Sequence, residues 1–132
     1  MALTLDQAMH KGVQAHKHGR LKEARRFYEM ALKMQPRHPD ANHNIGAIEI
    51  SNGNIEKAAP FLKTALEENP NNIQYWVSYL EALINIEAYD EANELLALAE
   101  AKGAKGEIFD QFKLRLASAT VEIKTAQIVE DF

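Results

Sequence analysis

Apolar residues return along this chain at a fixed step of 34. Ala24, Ala58 and Ala92 fall in one column, and Ala31, Ala65 and Ala99 in another. Large residues keep the same step: Tyr28, Leu62 and Leu96 align, as do Leu21, Ile55 and Tyr89. The punctuation repeats too, with Gly12 over Gly46, Gly19 over Gly53 and Pro36 over Pro70. Self-similarity at such a period marks an array of small supersecondary units, none of which buries both of its faces alone.

Each unit reads as two antiparallel helices. In the second, Pro39 to Ser51 forms helix A, Gly53-Asn54 the turn, and Ile55 to Glu68 helix B. Pro39 suits a first helical turn, where its missing N–H would lack a partner anyway. Asn69-Pro70-Asn71-Asn72 breaks the chain before the third unit. Thr4 with Gln7 has the spacing of a capping box, and Asn71 with Gln74 offers a similar start to the third unit. Pro60 lies early in its helix, so a slight bend is expected rather than a break. Gly12, Gly46 and the two Ala columns let helix axes close to about 8–10 Å, while the large columns fill the space between.

The third unit, Tyr75-Trp76-Val77-Ser78-Tyr79-Leu80-Glu81-Ala82-Leu83 followed by Tyr89-Asp90-Glu91-Ala92, resembles the tetratricopeptide-repeat (TPR) signature of Trp, Leu, Gly, aromatic, then Ala, aromatic, Ala, Pro. The period of 34 is also that of the TPR family. Three repeats result, about 5–38, 39–72 and 73–106. The departures fall at Lys11, where Leu is usual, as suits an open edge, and at Leu80 and Ala104, where Gly and Pro are usual. Residues 107–117 carry apolar side chains at 108, 109, 112 and 116, a helical stripe similar to the family's capping helix. The resemblance implies an all-α superhelical solenoid of three helix-turn-helix repeats with that cap. Residues 118–132 hold the β-branched Val121, Ile123, Ile128 and Val129; a helix is expected, running on from the cap or docked separately.

Composition narrows the class. The chain has 132 residues, enough for one domain, and the apolar and charged fractions of an ordinary globular protein. With no Cys there is no disulfide, thiolate zinc site or thiol nucleophile. Neither a basic-then-apolar leader nor a run of about 20 apolar residues is present, so a cytoplasmic location without membrane insertion is expected. Charge is uneven. Residues 1–38 carry eight Lys and Arg against three Asp and Glu, or +5, which leaves −9 for the remainder of a chain whose net charge is −4. Most of those cations lie between Arg20 and Arg37, on one helix or its edges and without interleaved aromatics. A solvated helix face explains them better than a nucleic-acid surface.

The five histidines, His10, His16, His18, His38 and His43, all precede residue 44. A metal site is the weaker reading, because no carboxylate pair or i, i+4 His motif accompanies them. Ser51, Ser78 and Ser118 lack a nucleophile elbow, and Gly103-Ala104-Lys105-Gly106 reads as a turn, not a phosphate cradle. Glu67-Glu68 and Glu130-Asp131 are adjacent and solvated, not acid–base couples. No enzyme activity, cofactor or metal is expected.

In the TPR family the inner faces of the A helices bind extended or helical peptides of partner proteins. Matching positions here are Met9, His10, Val13, His16 and Lys17 in unit one, and His43, Asn44, Ala47, Ile50 and Ser51 in unit two. Unit three adds Gln74, Val77, Ser78, Glu81, Ile84 and Asn85. This mixture of apolar and neutral polar groups suits a peptide whose apolar side chains alternate with backbone in need of hydrogen bonds. The carboxylate clamp by which some TPR domains hold acidic chaperone tails would occupy Met9, Val13, Asn44, Gln74 and Ser78; only Asn44 matches, so that subtype is disfavoured. The expected function is a protein-interaction adaptor. The alternative is the TPR segment of a larger glycosyl-, sulfo- or methyltransferase. The apolar tail needs covering, and a homodimer through residues 118–132 is the favoured covering over the chain's own body.

Overall fold

The computed structural model describes residues 2–131. Among them lie seven α-helices and no strand: α1 (Leu5–Lys17), α2 (Leu21–Met34), α3 (Pro39–Ser51), α4 (Ile55–Glu68), α5 (Ile73–Asn85), α6 (Tyr89–Ala101) and α7 (Glu107–Glu130). The chain divides into two compact units, one running to Tyr79 and the other from Leu80 onward.

In the first unit α1 packs on α2, α2 on α3, and α3 on α4. Thr4 and Gln7 form the expected capping box: Thr4 Oγ1 accepts from the Gln7 N–H at 3.2 Å, and Gln7 Oε1 accepts from the Thr4 N–H at 2.9 Å. His38 caps α3, its Nδ1 accepting from the Ala41 N–H at 3.1 Å ahead of Pro39. The approach of A and B helices is set by glycine. A Cβ on Gly12 would lie 2.5 Å from the Tyr28 ring, and one on Gly46 would lie 2.7 Å from the Leu62 side chain. Ala8, Ala15, Ala24, Ala31 and Ala41 close up around Tyr28, Ile45 and Ile48 to form the core. α4 continues through Pro60 without interruption.

One column does the same job with different chemistry. Asn42 Nδ2 donates to the Pro36 carbonyl at 3.2 Å, and Trp76 Nε1, one repeat later, donates to the Pro70 carbonyl at 2.8 Å. Both side chains are buried and tie an A helix to the linker before it. Arg25 bridges α2 to α3 by pairing with the buried Glu49, and also donates to Glu29 at 2.8 Å. The start of α5 differs by one residue from expectation. Asn72, not Asn71, accepts from the Gln74 N–H, at 3.0 Å, because Ile73 is already helical.

In the second unit Leu80, Leu83, Ala92, Leu96 and Ala99 are buried, and α7 packs on α6 with Phe109, Phe112, Leu116 and Ala119 buried. The turn between α5 and α6 holds Glu87 at φ +62°, where the earlier hairpin turns place Gly19 and Gly53 at +75° and +81°. The cap does not stop at residue 117: α7 is a single helix of 24 residues, and its described residues from Val121 onward are all exposed. The β-branched side chains there slightly lower helix propensity, but helix extension from an existing nucleus needs no new initiation.

Candidate functional site

The unit ending at Tyr79 holds most of the expected groove residues. Met9, Val13, His16, His43, Asn44, Ala47, Val77 and Ser78 are half-buried; His10, Lys17, Ile50, Ser51 and Gln74 are exposed. They occupy α1, α3 and the first turns of α5, at the same positions in each repeat. What joins them is a chain of hydrogen bonds.

Gln74 Nε2 donates to Ser78 Oγ at 3.1 Å, and Ser78 Oγ lies 2.8 Å from His43 Nε2. His43 Nδ1 faces Asn44 Oδ1 at 3.4 Å, which ends the series on α3. Tyr28 Oη lies 3.1 Å from His16 Nδ1. One donor direction satisfies the series from Gln74 to Asn44: amide N–H to hydroxyl, hydroxyl to His43 Nε2, and His43 Nδ1–H to Asn44. That assignment needs a neutral His43. Burial lowers the proton affinity of His43, against weaker opposition from Asn44 and Asp40. Burial likewise pushes the Tyr28 phenol up, opposed by Asn44. The His43 ring also lies against Tyr75, centroids 4.9 Å apart, and the Tyr75 hydroxyl donates to the Asp40 carboxylate. Burial, reinforced by Asp40, keeps the Tyr75 phenol protonated well above the usual range.

The outcome is an inner face with little net charge, on which Lys17 is exposed. Apolar Met9, Val13, Ala47, Ile50 and Val77 share it with polar groups already set in one orientation. Of the positions that a carboxylate clamp would use, Asn44, Gln74 and Ser78 all belong to the hydrogen-bonded series, and Met9 and Val13 carry no charge. Among the described residues, no group of three or more His, Cys, Asp or Glu side chains is placed to hold a metal ion.

Glu81, Ile84 and Asn85 belong to the second unit. Arg115 Nη1 holds Glu81 through both carboxylate oxygens at 2.8 and 3.0 Å, and Arg115 Nη2 reaches Asn85 Oδ1 at 3.4 Å. Ile84 is buried. It lines an open cleft of about 500 Å³ together with Asn85, Leu114, Arg115, Ser118 and Glu122. Arg115 was not foreseen from the sequence. It stands one repeat beyond Val13, Ala47 and Glu81, so the 34-residue step, carried past the third unit, would have found it.

The tetratricopeptide-repeat family model matches residues 15–76 and 49–116. A curated relative, cellulose synthase operon protein C of Komagataeibacter xylinus, is 26% identical over 98 residues, covering 74% of this chain. The chain spans only 8% of the length of that relative. Among solved structures, the Sgt2 TPR domain from Aspergillus fumigatus is 26% identical with a TM-score of 0.69, covering 93% of this chain and 81% of that one. The TPR2B domain of yeast Sti1, solved as a pHsp70 complex, has a TM-score of 0.72 at 20% identity, covering 86% of this chain and 96% of that one.

Proposed function

Since this chain belongs to the tetratricopeptide-repeat family, a fold that serves protein–protein interaction, we propose that it is a non-catalytic adaptor whose A-helix inner face binds a peptide segment of a partner protein. The hydrogen-bonded series from Gln74 through Ser78 and His43 to Asn44 carries this reading. It holds polar groups in a fixed orientation beside apolar side chains, which lowers the ordering cost when a ligand binds. A neutral, apolar-rich segment fits this face, its backbone amides meeting His10, Asn44 and Gln74 and its side chains meeting Val13, Ala47 and Ile50. An acidic tail meets no cationic centre there. No helix among the described residues is long and apolar enough to cross a membrane, so the binding reading requires no inserted segment. Self-association through the C-terminal segment is a second interaction of the same module and rests on a different helix.

Selection from a random peptide library on the immobilised protein, followed by amide chemical-shift mapping, tests the groove. Shifts concentrated at His43, Asn44, Val77 and Ser78 with neutral, apolar peptides are expected. Enrichment of acidic peptides, or shifts confined to the outer faces of α2 and α4, would remove the reading.

A second reading is that the chain is a TPR segment of a longer polypeptide carrying a glycosyl-, sulfo- or methyltransferase domain. The much greater length of the curated relative supports the longer-polypeptide part of it. The intact mass of the native protein separates the two.

A further inference from the structure

α7 has two apolar faces. One carries Phe109, Phe112, Leu116 and Ala119 into the core of its unit. The other, on the opposite side of the helix, carries Leu114, Val121 and Ile128, seven residues apart and 70%, 62% and 58% exposed. Apolar residues at a step of seven on an open face form the seam of a helix pair. The repeat register says the same. Leu114 stands in the column of Gly12, Gly46 and Leu80. In the first two hairpins that column touches the B helix, since a Cβ there would strike Tyr28 or Leu62. α7 presents its exposed apolar residue Leu114 at that same register.

We propose that α7 is a self-association element, pairing antiparallel with α7 of a second copy through Leu114, Val121 and Ile128. The other helices are 13 or 14 residues long, whereas α7 has 24, so a second α7 is the element of this chain that matches its length. The seam is self-complementary about Val121: Leu114 of each copy meets Ile128 of the other, and Ala117, Ser118 and Thr125 are small enough between them for close approach. Charge favours one direction. Arg115 is engaged with Glu81, but Lys113, paired with Glu100 at 3.3 Å and still exposed, lies at one end of the seam, and Asp131 at the other. An antiparallel pair sets Asp131 of one copy beside Lys113 of the other, whereas a parallel pair lays the acidic ends side by side. The seam from Leu114 to Ile128 is about 21 Å long. A contact of that length is small for a protein–protein interface, so the dimer is expected to be reversible. This contact begins at Leu114, ahead of the 118–132 segment to which the sequence alone assigned it.

Sedimentation equilibrium on the full chain, from low micromolar to millimolar concentration, should show mass rising toward twice that of the protomer. Val121→Asp and Leu114→Lys, both at exposed positions, should remain monomeric with unchanged helical circular dichroism. Asn44→Ala/Ile50→Glu should dimerise as the wild type does, which separates this contact from the groove. The chain has no Cys, so an oxidised mixture of the Leu114→Cys and Ile128→Cys variants reports direction, with the mixed disulfide expected to dominate. Wild type that stays monomeric throughout, seam variants that still dimerise, or Leu114→Cys bonding mainly to itself would each overturn the proposal.

Discussion

His43 and Ser78, 35 residues apart on neighbouring A helices, are joined side chain to side chain at 2.8 Å. With the Ser78 hydroxyl donating, His43 Nε2 is the acceptor, and burial lowers the proton affinity of the ring. A histidine so placed binds fewer protons folded than unfolded. Its contribution is therefore complete above the unfolded value of about 6.5 and is lost as pH falls below it. Melting temperature should decline between pH 7.5 and 5, and His43→Gln should flatten that decline. An unchanged slope in the variant would remove His43 from the account.

Glu49 offers a second titration of different origin. Its bond to Arg25 holds the carboxyl below the usual range against the opposing effect of burial, so its contribution is present above the unfolded value and lost as pH falls through the lower folded one. Arg25→Met leaves that buried carboxylate without its cation. The expected loss is about 1–3 kcal/mol at neutral pH, less than for a fully buried pair because Arg25 is partly solvated. Urea titration checks the loss, and the acid limb should begin at a higher pH in the variant. Equal stability would mean that Glu49 finds another partner.

Gly46 fixes the approach of α3 to α4. In Gly46→Ala the new methyl would lie 2.7 Å from Leu62 Cδ2 and 2.9 Å from its Cγ, so the buried Leu62 side chain must shift. Overpacking should cost about 1–3 kcal/mol, partly offset by the better helix propensity of Ala. A urea midpoint at or above that of the wild type would contradict the close approach.

Glu87 sits in the left-handed region at φ +62°, where the first two hairpins use glycine. Glu87→Gly removes a strain of about 1–2 kcal/mol and adds some unfolded-state entropy, for a net gain of about 0.5–1 kcal/mol. Thermal unfolding checks it. A lower melting temperature would show that Glu87 makes a compensating contact.

The limits of α3 and α4 were legible because Pro39, the Gly53 turn and the Asn69-Pro70 break are local signals in a repeating frame. The helical positions of the groove residues followed from the same frame. Their bonds did not. His43–Ser78 and Asp40–Tyr75 join residues 35 apart, a relation between helices that the periodicity of one helix cannot display. Asn71 was taken for the cap of α5 because Asn71 and Asn72 are chemically alike and only the backbone chooses between them. Arg115 lay outside the three-repeat frame, and of the two arrangements open for residues 118–132 the structure takes the helix that runs on from the cap, since weak β-branched propensity matters little once a helix is under way.

The central claim is that the inner face formed by α1, α3 and the start of α5 receives the partner. Its most direct test is quantitative capture of the protein's native partners by wild type and by Asn44→Ala/Ile50→Glu, read by mass spectrometry, with circular dichroism as a check on folding. Asn44→Ala removes the acceptor at the end of the hydrogen-bonded series, and Ile50→Glu sets a charge against the partner's apolar side chains. The account predicts that the specific partner is lost, at least tenfold in recovery, while helicity is unchanged. Undiminished capture by the folded double variant would contradict it and place the binding surface elsewhere.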